Sequence, residues 1–115
     1  MAHNGVMTNL KTSGTWYYTI DNGAVTIHGR TDDSPELIIP QYIEGLPVRH
    51  IGDRAFADQK ITGLSLPYGI ESIGYGAFYD HHIRRLIIPD TVRKIQMRAF
   101  GHLCYDLFQS ASLYL

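Results

Sequence analysis

The sequence predicts a mainly-β chain wound into a solenoid of about three short-strand rungs, with a β-hairpin at its start. Three observations predict it. The phrases IGDRAF, IGYGAF and IQMRAF begin at Ile51, Ile73 and Ile95, so the step from each to the next is the same. Before each copy lies an apolar stretch ending in proline, at Pro40, Pro67 and Pro89. Ahead of them all, two alternating segments flank Asn22-Gly23. A short fixed period marks units that cannot bury an apolar face alone and must stack on their neighbours.

Taken in chain order, residues 1–14 (MAHNGVMTNLKTSG) are polar and read as a flexible N-terminus. They lack the apolar stretch of a signal peptide, so the chain is either intracellular or has had its targeting segment removed. Residues 15–30 read as a hairpin cap. Trp16, Tyr18 and Ile20 alternate, Asn22-Gly23 supplies the left-handed turn residues, and Val25 and Ile27 alternate on the return. Such an aromatic-rich hairpin suits the task of covering the open first rung.

The rungs are expected over 34–102. The copy from Leu64 and the copy from Leu86 match at Leu64/Leu86, Leu66/Ile88, Pro67/Pro89, Ile70/Val92, Ile73/Ile95, Ala77/Ala99 and Phe78/Phe100. An earlier copy keeps Leu37, Ile39, Pro40, Val48, Ile51, Ala55 and Phe56 but carries an insertion of five between Pro40 and Val48. Its second half therefore keeps the regular step to the next copy, Val48 to Ile70, while its first half, Leu37 to Leu64, is offset by more. A surface loop of that size adds little closure entropy, so the coil need not be disturbed.

Within each copy the L-x-I/L-P alternation predicts a strand with one buried face. Proline ends it, having no N–H for the ladder. The V/I-x-x-I and A-F positions then carry the inward set round the turn. Each rung points about seven apolar side chains to one side, and stacking at ~4.8 Å per step buries them in a column. On the outside, Arg49, Glu71 and Arg93 share one position, placing a carboxylate between two guanidinium groups. Each such exposed pair contributes only ~0.2–1 kcal/mol.

Residues 103–115 (LCYDLFQSASLYL) begin a degenerate further rung or a C-terminal cap. Nine of the thirteen are apolar, the reverse of the polar face that usually ends a stack. Two outcomes follow. A last strand would leave Leu107, Leu113, Tyr114 and Leu115 to be covered by a second chain, a homo-oligomer joined end to end. A helix folded back would cap the stack and give a monomer. Association is the favoured outcome.

Composition narrows the function classes. The 115 residues hold ten basic and eleven acidic side chains, and no block of like charge. Nothing electrostatic points to nucleic acid or an anionic membrane. No apolar run approaches the ~18 residues of a membrane span. The single Cys104 excludes an internal disulfide framework.

The repeated phrase resembles the BspA-like class of leucine-rich repeats, whose copies run from a strand ending in IP to V-x-x-I-G-x-x-A-F. LIIPQYIEGLPVRHIGDRAF is similar to the entry repeat of such domains, and YYTIDNGAVTIHG to the strand pair ahead of it. The resemblance covers roughly residues 16–108. It implies bacterial surface proteins that bind other proteins or adhere, with no catalytic residues and no cofactor. The whole expectation is then a right-handed leucine-rich-repeat solenoid forming one domain over 15–115, a non-catalytic module secreted or held at the cell surface. Its partner is a protein or, in second place, a surface glycan; a purely structural spacer is the remaining reading.

Two clusters carry the site expectations. Asp80 and His102 fall in one column and His82 and Cys104 in the next but one, and together they have ligand types suited to zinc, the basis of an alternative metal-dependent enzyme. Lys60 shares the column of His82 and Cys104, where a cation would repel a metal, so the solvated-ridge reading is preferred. Tyr68, Tyr75 and Tyr79 lie at non-core positions of one rung, and with Leu113 and Tyr114 are the expected partner-binding side chains.

Overall fold

A computed structural model describes residues 9–79, 82–84 and 86–101. Among these residues nine strands and no helix form, so no helix is long and apolar enough to cross a membrane. The strands are β1 (Lys11–Ser13), β2 (Trp16–Asp21), β3 (Ala24–Arg30), β4 (Glu36–Ile38), β5 (Tyr42–Ile43), β6 (Leu46–Ile51), β7 (Gly63–Ser65), β8 (Ser72–Ile73) and β9 (Lys94–Ile95).

The hairpin forms where the alternation places it. β2 and β3 pair antiparallel, and Asn22 and Gly23 turn the chain at φ 53° and 75°. Tyr18, Val25 and Ile27 are buried, Trp16 is half-buried and Ile20 is exposed. The polar N-terminal stretch adds β1, an antiparallel partner for β2 that composition alone does not suggest. β3 then pairs parallel with β6 through Val25↔Val48 and Ile27↔Ile51, so the hairpin continues directly into the repeats.

The constant step of the sequence is written into the ladder. β6, β8 and β9 pair parallel through Ile51↔Ile73 and Ile73↔Ile95. Between them the backbone repeats its bonds: Gly74 N–H donates to Ile51 C=O at 2.8 Å and Gln96 N–H to Ile73 C=O at 2.9 Å. Phe56 N–H donates to Ala77 C=O at 2.8 Å, and Phe78 N–H to Ala99 C=O at 2.6 Å. The longer spacing of the first half-copy is equally literal. β4 and β7 form a separate two-stranded sheet in which Leu37 faces Leu64, the very pair that the offset matches. The insertion becomes a tight antiparallel pair, β5 with β6, turning at Glu44 (φ 51°) and Gly45 (φ 80°).

One placement differs from the expectation. The L-x-I/L-P stretch is strand in the first two copies only, and Leu86–Pro89 carries none. The continuous parallel sheet runs instead through the V/I-x-x-I positions, the part expected merely to round the turn. Proline cuts each first segment short by removing a ladder donor at its end, whereas VRHI, ESI and RKI keep every N–H.

The core is the set the periodicity selects. Leu37, Ile39, Val48, Ile51, Phe56, Ile70, Ile73, Ala77, Phe78, Ile88, Val92 and Phe100 are all buried. Phe56 and Phe78 stack at 5.5 Å between ring centroids and 13° between planes, and Phe78 and Phe100 at 5.2 Å and 10°. Trp16 of the hairpin meets Phe56 edge-on at 6.5 Å. The aromatic column thus runs from the hairpin to the last described turn.

Candidate binding surface

With the regular apolar positions spent on the core, outward side chains of successive copies stand one repeat step apart, and several are stitched together across that step. Arg49 donates to Glu71 at 2.9 Å, an ion pair whose side chains are 41% and 37% exposed. At that exposure solvent screens it, and its contribution is a few tenths of a kcal/mol. The third member of that column, Arg93, meets Glu71 through the backbone, its N–H donating to the Glu71 carbonyl at 2.7 Å. Asp53 Oδ1 accepts from Tyr75 N–H at 2.9 Å, and Gly69 N–H donates to Thr91 Oγ1 at 3.1 Å.

Two histidine contacts escaped the sequence reading. His50 Nδ1 and Ser72 Oγ lie 2.6 Å apart on paired residues of β6 and β8. A serine beside an imidazole is half of a nucleophile arrangement, but that chemistry needs a third group to orient the ring. Among the described residues none hydrogen-bonds the other ring nitrogen, and the pair serves as a cross-strand link. His28 Nε2 and Thr19 Oγ1 lie 2.8 Å apart across the hairpin. Only the repeat register could have exposed the first pair, since His50 and Ser72 differ in type; the second follows from hairpin register.

Burial pushes the half-buried His28 imidazole below its ordinary value, and the Asp53 carboxylate works the other way without reversing it. The fold therefore prefers neutral His28. Its contribution is whole above about pH 6.5, the unfolded value, and is lost as pH falls through the lower folded value. We expect the melting temperature to fall more between pH 7.5 and pH 5 in the wild type than in His28→Gln, followed by circular dichroism. Equal pH dependence in the two proteins would remove His28 from the account.

The expected tyrosines do not behave alike. Tyr68 follows Pro67 and is 69% exposed, while Tyr75 is 40% exposed. Tyr79 is half-buried, its Cβ lying 4.0 Å from where a Gly76 side chain would begin. Tyr68 and Tyr75 are thus the exposed members of the set. Exposed apolar side chains add to the surface: Ile38 and Ile87 occupy the same place in L-x-I/L-P copies at 65% and 69% exposure. With Leu64, Ser65, Leu66 and Pro89, Ile87 lines a shallow groove of about 270 Å³. The alternation marked those positions as outward but gave no reason to expect isoleucine there.

Of the metal candidates, His82 is exposed and donates its backbone N–H to Ile61 C=O at 3.0 Å. Asp80, His102 and Cys104 lie outside the described residues, as do Leu113 and Tyr114 of the expected interface. Among the described residues no group of three or more His, Cys, Asp or Glu is placed to hold a metal.

The family model described as a BspA type leucine rich repeat region matches residues 41–110. Among solved structures, a leucine rich cell surface protein from Faecalibacterium prausnitzii A2-165 is 29% identical with a TM-score of 0.73. That similarity takes in 86% of this chain and only 29% of the other, so the chain spans under a third of that protein. A leucine-rich repeat protein from Bacteroides capillosus ATCC 29799 is 21% identical with a TM-score of 0.58, over 76% of this chain and 88% of its own. It shares the fold. No curated protein matches the sequence.

Proposed function

From a chain that belongs to the BspA type leucine rich repeat family, we infer a non-catalytic binding module whose partner is a protein, presented at a cell surface. The observation that carries the reading is the division of labour along the repeat. Positions that recur at every step fill the core, and positions that vary stand outside in continuous columns. Stacked repeats use such surfaces to bind. The cell-surface description of the Faecalibacterium prausnitzii protein supports the location. A surface glycan is the second candidate partner.

The finer architecture belongs to the same reading. The chain is a right-handed solenoid of about three rungs with residues 15–30 as its cap. The parallel steps of β3, β6, β8 and β9 support the stacking. The hand follows from the strong preference for right-handed crossovers between parallel strands. The tyrosines Tyr68 and Tyr75 are the proposed contact side chains.

The test is capture of a partner by the immobilised chain, with Tyr68→Ala and Tyr75→Ala as the probes. A partner whose retention falls at least tenfold on either substitution, with the melting temperature unchanged, supports the reading. Retention indifferent to every outer-column substitution, or no partner from surface extract or glycan array, favours a structural spacer.

A further inference from the structure

We propose that Arg54 and Arg98 form a two-pronged seat for an acidic, extended segment of the protein partner, with Gly76 as the floor between them. This deepens the reading of the chain as a protein-binding module and rests on it.

The three residues share one column of the repeat, one turn apart each, and all have left-handed backbones: φ 55° at Arg54, 61° at Gly76 and 58° at Arg98. That conformation strains any residue with a β-carbon and costs glycine nothing. The middle copy carries the unstrained residue. The outer two carry arginine, a side chain the backbone does not ask for. Both arginines are exposed, and among the described residues neither guanidinium makes an ion pair or a hydrogen bond. Arg49 and Arg30 differ in this respect, the first paired with Glu71 and the second bonded to Gln59 and the Ser34 carbonyl.

Glycine at 76 also makes room. Arg54 lies across it, with Cγ 3.5 Å and Nη1 3.7 Å from the point a β-carbon would occupy. Its guanidinium therefore leans along the column toward Arg98. Tyr75 borders the floor on the same turn, and Met97, 71% exposed, stands beside Arg98. The Asp53 carboxylate in the adjacent column is engaged with the Tyr75 N–H.

Spacing selects the occupant. Two steps of the repeat separate the Cα atoms by about 10 Å, the lean of Arg54 carries its guanidinium toward Arg98, and alternate side chains of an extended peptide recur at about 7 Å. A strand with carboxylates on alternate residues, laid across the rungs, offers one to each guanidinium fork.

The experiment is fluorescence anisotropy with a labelled peptide of four Thr-Glu repeats, against the Thr-Gln peptide and against dextran sulfate. Arg54→Gly and Arg98→Gly should each weaken the Thr-Glu peptide at least fivefold, while the melting temperature holds or rises because strain is relieved. Arg84→Ala, another exposed arginine, should leave affinity unchanged, and the Thr-Gln peptide should not bind. Equal weakening by Arg84→Ala would reduce the effect to diffuse charge and overturn the seat. Tighter, Arg54-dependent binding of dextran sulfate would overturn it in favour of a sulfated glycan. Loss of the seat with tyrosine-dependent partner capture intact would leave the module reading standing, so the two can fail separately.

Discussion

Phe78→Ala should destabilise the fold by about 3–5 kcal/mol, the cost of removing a fully buried phenylalanine whose neighbours cannot close the space. Phe78 is the middle ring of the column, 0% exposed and stacked on Phe56 and Phe100 at 5.5 and 5.2 Å. Both neighbours sit in copies of the repeat pinned by backbone bonds, so collapse into the cavity would break the ladder. Domains of this size have a total stability of only about 5–15 kcal/mol, and the variant loses a large share of it. Urea denaturation measures the loss, and the melting temperature should drop by more than about 10 °C. Phe78→Leu, which keeps most of the volume, should cost markedly less. A loss below about 1 kcal/mol for the alanine variant would mean that the ring stack is not the core.

Gly74→Ala should cost about 1–3 kcal/mol through overpacking, although it adds a single methyl group. A β-carbon at Gly74 would lie 2.6 Å from the Asp53 amide nitrogen and 2.7 Å from the Gly52 carbonyl carbon. Both are backbone atoms of the previous copy of the repeat, fixed by the Gly74 N–H to Ile51 C=O bond, and cannot swing aside. Gly52 supplies the control. There an added β-carbon meets the ring of His28 at 2.7 Å, a side chain that can turn, so Gly52→Ala should be the milder change. Thermal melts of the two variants decide it, and an equal or larger loss at Gly52 would contradict the packing argument.

The sequence was most legible where a physical demand recurs at a fixed interval. The phenylalanine column, the unequal offsets of the first copy's two halves and the Asn22-Gly23 hairpin all follow from that demand. The location of the continuous sheet was less legible, because apolar alternation marks burial and says nothing of which segment carries the ladder. Ser72 and His50 stand one repeat step apart, yet nothing in their residue types marks them as bonded, since the outer positions are free to vary. The same freedom hid the seat formed by Arg54 and Arg98. Its signal is two arginines where the middle copy has glycine, and it acquires meaning only once the left-handed backbone is seen.

The uniform step has a kinetic consequence. The parallel pairings Ile51↔Ile73 and Ile73↔Ile95 close loops of equal length, and Leu37↔Leu64 closes one only slightly longer. Loop-closure entropy changes slowly with length, so every added turn meets nearly the same barrier. No contact between distant ends of the chain must be found first. Folding can therefore start at whichever adjacent pair forms soonest and advance like a zipper, one turn at a time, with the free energy descending in near-equal steps.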